Sequence, residues 1–451
     1  MDFKPYVKKY ENEIIETLSN LVKINSILNM NTKAEDAPFG RGINKALVYM
    51  LRKAKLDGFE TLNDDGYCLK IKLQGETDES IAVLGHLDTV PVDNTWTHDP
   101  FGAEIVDGKM YGRGTTDDKG PVVAAYFALK ILKDAGIKLN KSVELLLGTD
   151  EETGWRGIHH YASKYSLPEI GFSPDAEWPL INGEKGILRI DLEGLGSSDF
   201  TIEGGNVYNA VIGTAHGTTK IDLIDEFYLY LDENHLDGKV SFMGDHYLYE
   251  VIGKTAHAMS PEIGVNAGIH LARFFNKYFK HPTLKFMNDV LFEDYNMNKL
   301  GMRCEHPIMG LTTLNVGIIK TDNEKSFFTF DIRFPEGFDF NLFEGAFKNI
   351  LACYNINYHV IENKEVHYVD PNSELVKTLM NSYIKYTNDQ NAYPRSIGGG
   401  TYAKVLKQGV AFGLEDPNLP SVCHISDEYI ELERLMEATA IYCDAIYELC
   451  K

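Results

Sequence analysis

The stretch Ser80-Ile81-Ala82-Val83-Leu84-Gly85-His86-Leu87-Asp88 decides how the rest of the chain is read. A short run of apolar and small residues ends abruptly at a histidine and an acid, the pattern of a strand buried on both faces. Residues 68–73 and 142–148 read as further short apolar strands. Between them residues 122–135 are predicted helical, with Gly136 as a natural C-cap. Upstream, Tyr6, Tyr10, Ile14, Leu18 and Leu21 recur at steps of three and four, which predicts an amphipathic helix over residues 6–22. A second helix is expected over residues 43–55. Strands alternating with helices imply an α/β architecture with a mostly parallel sheet flanked by helices.

Further along the pattern changes. Residues 188–192, 247–252 and 326–333 read as strands and 267–278 as a helix, an α+β arrangement distinct from the first part of the chain. Helices return over residues 374–386 and 431–449. No repeat, low-complexity tract or Gly/Ser linker interrupts the chain.

Composition narrows the function. The chain has 451 residues and a formal charge of −22, with 24% charged and 44% hydrophobic residues. That is ordinary for a globular protein of two or three domains. Without basic clusters a nucleic-acid partner is not expected. No apolar run approaches the ~18 residues a membrane span needs. Met1-Asp2-Phe3-Lys4-Pro5 lacks the features of a secretory signal. The six cysteines show no C-x-x-C spacing, which predicts neither a disulfide framework nor a zinc–thiolate site, and a cytoplasmic location is expected.

Open α/β sheets bind ligands at the carboxyl ends of their strands. His86 and Asp88 end the strand at 80–85 and, two apart, share a face in extended chain. They suit a metal-binding imidazole oriented by a carboxylate, or simply a polar strand end. Gly112-Arg113-Gly114-Thr115-Thr116-Asp117-Asp118-Lys119-Gly120 precedes a helix. Its aspartates suit an N-cap with a first-turn acid, or a carboxylate bridging two cations. Asp150-Glu151-Glu152 comes directly after a buried strand. Consecutive acids there are costly unless cations offset them, although a solvated acidic turn is the plainer reading. Neighbouring side chains on extended backbone diverge, so Glu151 and Glu152 are expected to do different work. Asp175 and the distant His424 complete a His/carboxylate set without thiolates, which suits zinc, manganese or cobalt.

The order of GHLDTVP, DPFGAEIVDGKMYGRGTTDDKGP, GTDEE and PDAEWP resembles the dinuclear-zinc metallopeptidase family of aminoacylase, carboxypeptidase G, succinyl-diaminopimelate desuccinylase and carnosinase. GFSPDAEWPLINGEKG, GKTAHAMSPEIGVNA and GGGTYAK bring it nearest to the PepV-type bacterial dipeptidase branch, and the likeness spans nearly the whole chain. The resemblance implies two divalent metal ions, zinc first with manganese or cobalt as alternatives. They would be held by His86, Asp117, Glu152, Asp175 and His424, with Asp117 bridging. It makes Asp88 the acid that orients His86, Glu151 the general base and His257 the oxyanion donor. Asn209, Arg333, Gly399, Gly400 and Thr401 are implied in substrate binding. Ile212 and Lys404 depart from the family pattern, which touches local substrate contacts and not the metal ligands.

If the ligands meet at one site, residues 1–186 and 366–451 form the catalytic domain and residues 187–365 an inserted α+β lid. Resemblance to the enlarged PepV-type lid implies a monomer. The expected activity is hydrolysis of small, unblocked dipeptides. An N-acyl amino acid deacylase, or a peptide-binding protein without turnover, are the rivals. His159-His160 is expected on a solvated helix, His216 in a turn without a role, and Phe227, Tyr228 and Tyr230 in strand-like core.

Overall fold

The computed structural model describes residues 1–451. The chain forms two compact units. One comprises Met1–Gly183, Tyr368–Arg395 and Gly400–Lys451, the other Glu184–His367 with Ser396–Gly399. The second unit is thus an insertion that also claims residues 396–399, which the sequence pattern assigns to the returning catalytic segment. Their hydrogen bonds explain this. The Lys185 N–H donates to the Ile397 carbonyl, Ser396 Oγ to the Ile308 carbonyl, and Arg333 Nη1 to the Gly398 carbonyl.

In the first unit the strands Ser142–Gly148, Ser80–His86, Ile170–Ser173 and Gln408–Ala411 lie side by side and run parallel. Cys68–Leu73 and Glu60–Asp64 extend this sheet antiparallel at one edge. The sheet is therefore parallel at its centre only. The helix Lys119–Asp134 is apolar nearly all round and buried along most of its length, because Lys4–Val22 and Leu432–Cys450 pack over it. Two helices begin earlier than their apolar stripes suggest, since Pro5 and Pro121 fall in first turns where a missing N–H costs nothing. Gly136, at φ +68°, lies just past the end of the Lys119–Asp134 helix as expected. The strands and these helices enclose one continuous apolar core.

The second unit is an eight-stranded antiparallel sheet. Its order is Asp237–Phe242, Tyr247–Ile252, Thr214–Thr219, Phe200–Gly204, Thr313–Thr321, Lys325–Phe334, Gly186–Leu195 and Asn357–Lys364. The helices Ile224–Glu233, Ala267–Asn276 and Phe340–Ala352 belong to the same unit, which has its own aromatic-rich core. Phe227 and Tyr230 lie on the first of these helices and not on a strand. Three residues apart, they share its buried face while Tyr228 points outward. His216 sits within the strand Thr214–Thr219 and not in a turn, its Nε2 2.8 Å from Glu250 Oε2. His159 and His160 lie on the helix Arg156–Lys164, where His160 pairs with Asp64. All six cysteines are free, and no helix is long and apolar enough to cross a membrane.

One close approach ties the decisive strand to the long buried helix. A Cβ built on Gly85 would lie 2.5 Å from Val122 Cγ2 and 2.7 Å from Asp118 Oδ2. Gly85→Ala should therefore destabilise the protein by about 1–3 kcal/mol, the usual cost of overpacking. A lowered thermal midpoint is expected, and an unchanged one would show that the helix start yields freely.

Candidate metal centre

Strand register delivers the candidate ligands. His86 pairs with Gly148 across the parallel ladder, so Leu87-Asp88 emerges beside Thr149–Glu152. Phe172 pairs with Val83, which brings Asp175 out at the same end of the sheet. Asp117 arrives from the turn before the helix Lys119–Asp134, across an Asp117–Asp118 peptide that is cis. His424 comes from the loop beyond the strand Gln408–Ala411.

These side chains converge within the first unit. Asp117 Oδ1 lies 3.0 Å from His86 Nε2, and its Oδ2 lies 2.9 Å from His424 Nε2. His86 Nε2 is also 3.5 Å from Asp175 Oδ2, and His424 Nε2 is 3.1 Å from Glu152 Oε2. Two half-sites result, His86 with Asp175 and His424 with Glu152, each sharing one oxygen of Asp117. The donor atoms of His86, Asp117 and Glu152 all lie within 4.8 Å of one another, as do those of His86, Glu151 and Asp175.

Asp88 does more than orient His86. Its carboxylate accepts the backbone N–H groups of Glu151 and Glu152, each at 3.1 Å. His86 Nδ1 lies closer to the Asp88 carbonyl, at 3.0 Å, than to the carboxylate, at 3.5 Å. Asp88 therefore steers His86 chiefly through its backbone and the two glutamates through its side chain. With Nδ1 donating to that carbonyl, Nε2 is the nitrogen left to bind a cation.

The electrostatics describe an acid cluster short of positive charge. Burial pushes the Glu151 carboxyl far above its ordinary range, and burial with the nearby Asp117 charge lifts Glu152 to about 7. Asp175 rises for the same two reasons. Burial would raise Asp117 as well, but hydrogen bonds from His424 and His86 outweigh it and hold that group low. Hydrogen bonds to Asp117 and Glu152 lift His424 to about 11. Glu152 Oε1 is buried without a hydrogen-bond partner. Imidazole and carboxylate donors around such an oxygen fit divalent cations of the zinc, manganese or cobalt kind, whose charge offsets the buried acids.

The remaining candidates divide between the units. Thr401 and Gly400 fall in the first, where Thr401 Oγ1 caps the turn Tyr402–Val405. Asn209, His257, Arg333 and Gly399 fall in the second. There the Asn209 carbonyl accepts the Ala258 N–H, and Ala210 bridges to His257. Asp331 grips Arg333 through Nε and Nη2, and the Gly398 carbonyl takes a hydrogen from Nη1. That leaves an N–H on each terminal nitrogen. Burial and the Arg333 charge lower the His257 pKa, so this imidazole is neutral at pH 7.

Two residues that no sequence motif singles out for this role hold the site from behind. Buried Asp118 accepts the His86 N–H at 2.9 Å instead of capping its helix. Buried Glu428 receives four hydrogen bonds from Arg113, Gly114, Thr116 and Asp117. The only sequence sign of Glu428 is the acid pair Asp427-Glu428 just beyond His424.

Comparison with known proteins bears on the same residues. The description "Peptidase family M20/M25/M40" matches residues 82–448, which takes in His86 and His424 alike. The chain belongs to this peptidase family. A Staphylococcus aureus (strain bovine RF122 / ET3-1) protein named "Putative dipeptidase" is 37% identical over 467 residues, covering 99% of each chain. The fold resembles human carnosine dipeptidase 1, with a TM-score of 0.62 at 14% identity, over 99% of this chain and 98% of that one. It also resembles a Bacillus subtilis protein described as a dinuclear metal binding peptidase from the M20 family, with a TM-score of 0.51 at 11% identity, over 98% of this chain and 99% of that one. As an M20 peptidase the protein is a hydrolase, and its candidate ligand groups are of the kind that a metallopeptidase requires.

Asp117→Ala removes the one carboxylate common to both half-sites. Zinc uptake by chelator-stripped protein should weaken more than about 100-fold, beyond the 10–100-fold typical of residues that only support a ligand. Unchanged stoichiometry and affinity by atomic absorption and chelator competition would remove Asp117 from the bridge.

Proposed function

We propose that the protein is a cytoplasmic, monomeric dipeptidase that hydrolyses unblocked dipeptides at two divalent cations, zinc first. The observation that carries this reading is the sharing of the two Asp117 oxygens between His86 and His424. His86, Asp117 and Asp175 would hold one cation and His424, Asp117 and Glu152 the other. Cations so held lower the pKa of water and polarise a carbonyl, the chemistry that amide hydrolysis needs.

The chain supplies the rest. Glu151 is the general base. Its backbone is fixed by Asp88, and burial raises the affinity of its carboxylate for a proton, which suits a group that takes a proton from water and returns it to the leaving amine. The His257 Nδ1 accepts the Met259 N–H at 3.2 Å, which leaves the hydrogen of the neutral ring on Nε2. Such a donor suits the oxygen of a tetrahedral intermediate. The terminal nitrogens of Arg333, already oriented by Asp331, suit the carboxylate end of a dipeptide as a fork. Gly399 leaves room for that group, since a Cβ there would meet only Ile397 Cδ1 at 3.9 Å. Gly400, Thr401 and Asn209 complete the proposed substrate contacts. The S. aureus relative's name supports a dipeptide as substrate.

The test compares one unblocked dipeptide with its N-acetyl form, using chelator-stripped enzyme with and without added zinc or manganese. Cleavage of the free dipeptide alone, and only with metal, is expected. Cleavage of the acetyl bond instead would make the protein an N-acyl amino acid deacylase. In the same assay Glu151→Gln should lower kcat about 10²–10⁴-fold with metal content unchanged. Loss of the metals in that variant would reassign Glu151 from base to ligand.

A further inference from the structure

We propose that Glu428 is a positioning residue that sets the bridging carboxylate of Asp117 against His424. The inference rests on reading Asp117 and His424 as metal ligands. Glu428 is fully buried, and every hydrogen bond to its carboxylate comes from the segment that ends in Asp117. Oε2 accepts Arg113 Nη1 at 2.6 Å and the Gly114 N–H at 3.1 Å. Oε1 accepts the Thr116 N–H at 2.8 Å and the Asp117 N–H at 3.1 Å. The backbone adds to this. The Gly112 N–H donates to the Glu428 carbonyl, Thr116 Oγ1 to the Tyr429 carbonyl, and Tyr429–Glu431 pairs with Lys109–Tyr111.

The same segment carries the other candidate ligand. His424 stands four residues upstream on the same segment, its side chain half exposed and touching the carboxylates of Asp117 and Glu152. Those two carboxylates hold the tip of the ring, and its base is placed by how the backbone is tied down. His424 and Asp427 both have left-handed backbone, with φ of +64° and +57°, a conformation uncommon outside glycine though less so for His and Asp, and contacts help to keep it. Asp427 supplies some of them by accepting Thr97 N–H, Thr97 Oγ1 and His98 N–H. Ser426 Oγ adds a bond to Asp93 Oδ1, and Glu428, next along the chain, is the one that also grips the Asp117 turn. Two ligands from distant parts of the chain are thereby referred to one buried carboxylate.

A merely structural ion pair with Arg113 would affect stability alone, so the decisive readout is cation affinity of folded protein. Zinc binding to chelator-stripped wild type, Glu428→Ala and Glu428→Gln is measured by competition with a chromophoric chelator. The visible spectrum of the cobalt-loaded proteins is recorded alongside. Gln keeps the shape but turns an amide donor toward donors, so it should weaken zinc about tenfold. Ala should weaken it about 10–100-fold, the range for residues that orient ligands, with an altered cobalt band in both. Should Glu428→Ala fail to fold, Glu428→Gln decides. Affinity within twofold of wild type in the folded variants, even with a lowered melting temperature, would overturn the proposal. A wild-type protein that bound no cation would overturn the ligand reading along with it.

Discussion

Several carboxylates packed together away from water repel one another and lose hydration, and they persist only where positive charge answers them. Asp117, Glu151, Glu152 and Asp175 gather in this way at one end of a parallel sheet, where His86 and His424 supply the imidazole partners. Burial lifts three of the four acids, while Asp117, hydrogen-bonded on both oxygens to imidazole, stays low. Such a cluster is a standing attraction for divalent cations, and the surrounding fold serves to bring it about.

Parallel pairing does the first part of that work. Strands that begin in register at Ser80 and Ser142 end in register at His86 and Gly148, so the segments leaving the two strands emerge side by side. The second part falls to buried acids whose carboxylates accept backbone N–H groups. Asp88 takes the N–H groups of Glu151 and Glu152, Asp118 takes that of His86, and Glu428 takes those of Gly114, Thr116 and Asp117. Each fixes the main chain of a candidate ligand by accepting its N–H groups.

Much of this is legible in the sequence. The apolar runs that end in His86-Leu87-Asp88 and Asp150-Glu151-Glu152 mark strands whose carboxyl ends carry chemistry, and the ordered motifs point to the ligand set through family resemblance. The antiparallel edge of the first sheet is not legible, because a short apolar run carries no sign of its neighbour's direction. The helix Ile224–Glu233 is hidden because Phe227, Tyr228 and Tyr230 are spaced ambiguously for a brief element. The supporting acids escape notice for a different reason. Asp118 and Glu428 act on backbone groups far away in sequence, and that work leaves no spacing to read. Residues 396–399 join the second unit through backbone carbonyls, which are equally silent in a sequence.

Anomalous diffraction from crystals of the zinc-loaded protein, recorded across the zinc absorption edge, tests the central claim most directly. Two peaks about 3.5–4 Å apart, one beside His86 and Asp175, the other beside His424 and Glu152, with Asp117 between them, is the expected result. A single peak, or two peaks that leave Asp117 unshared, would contradict it.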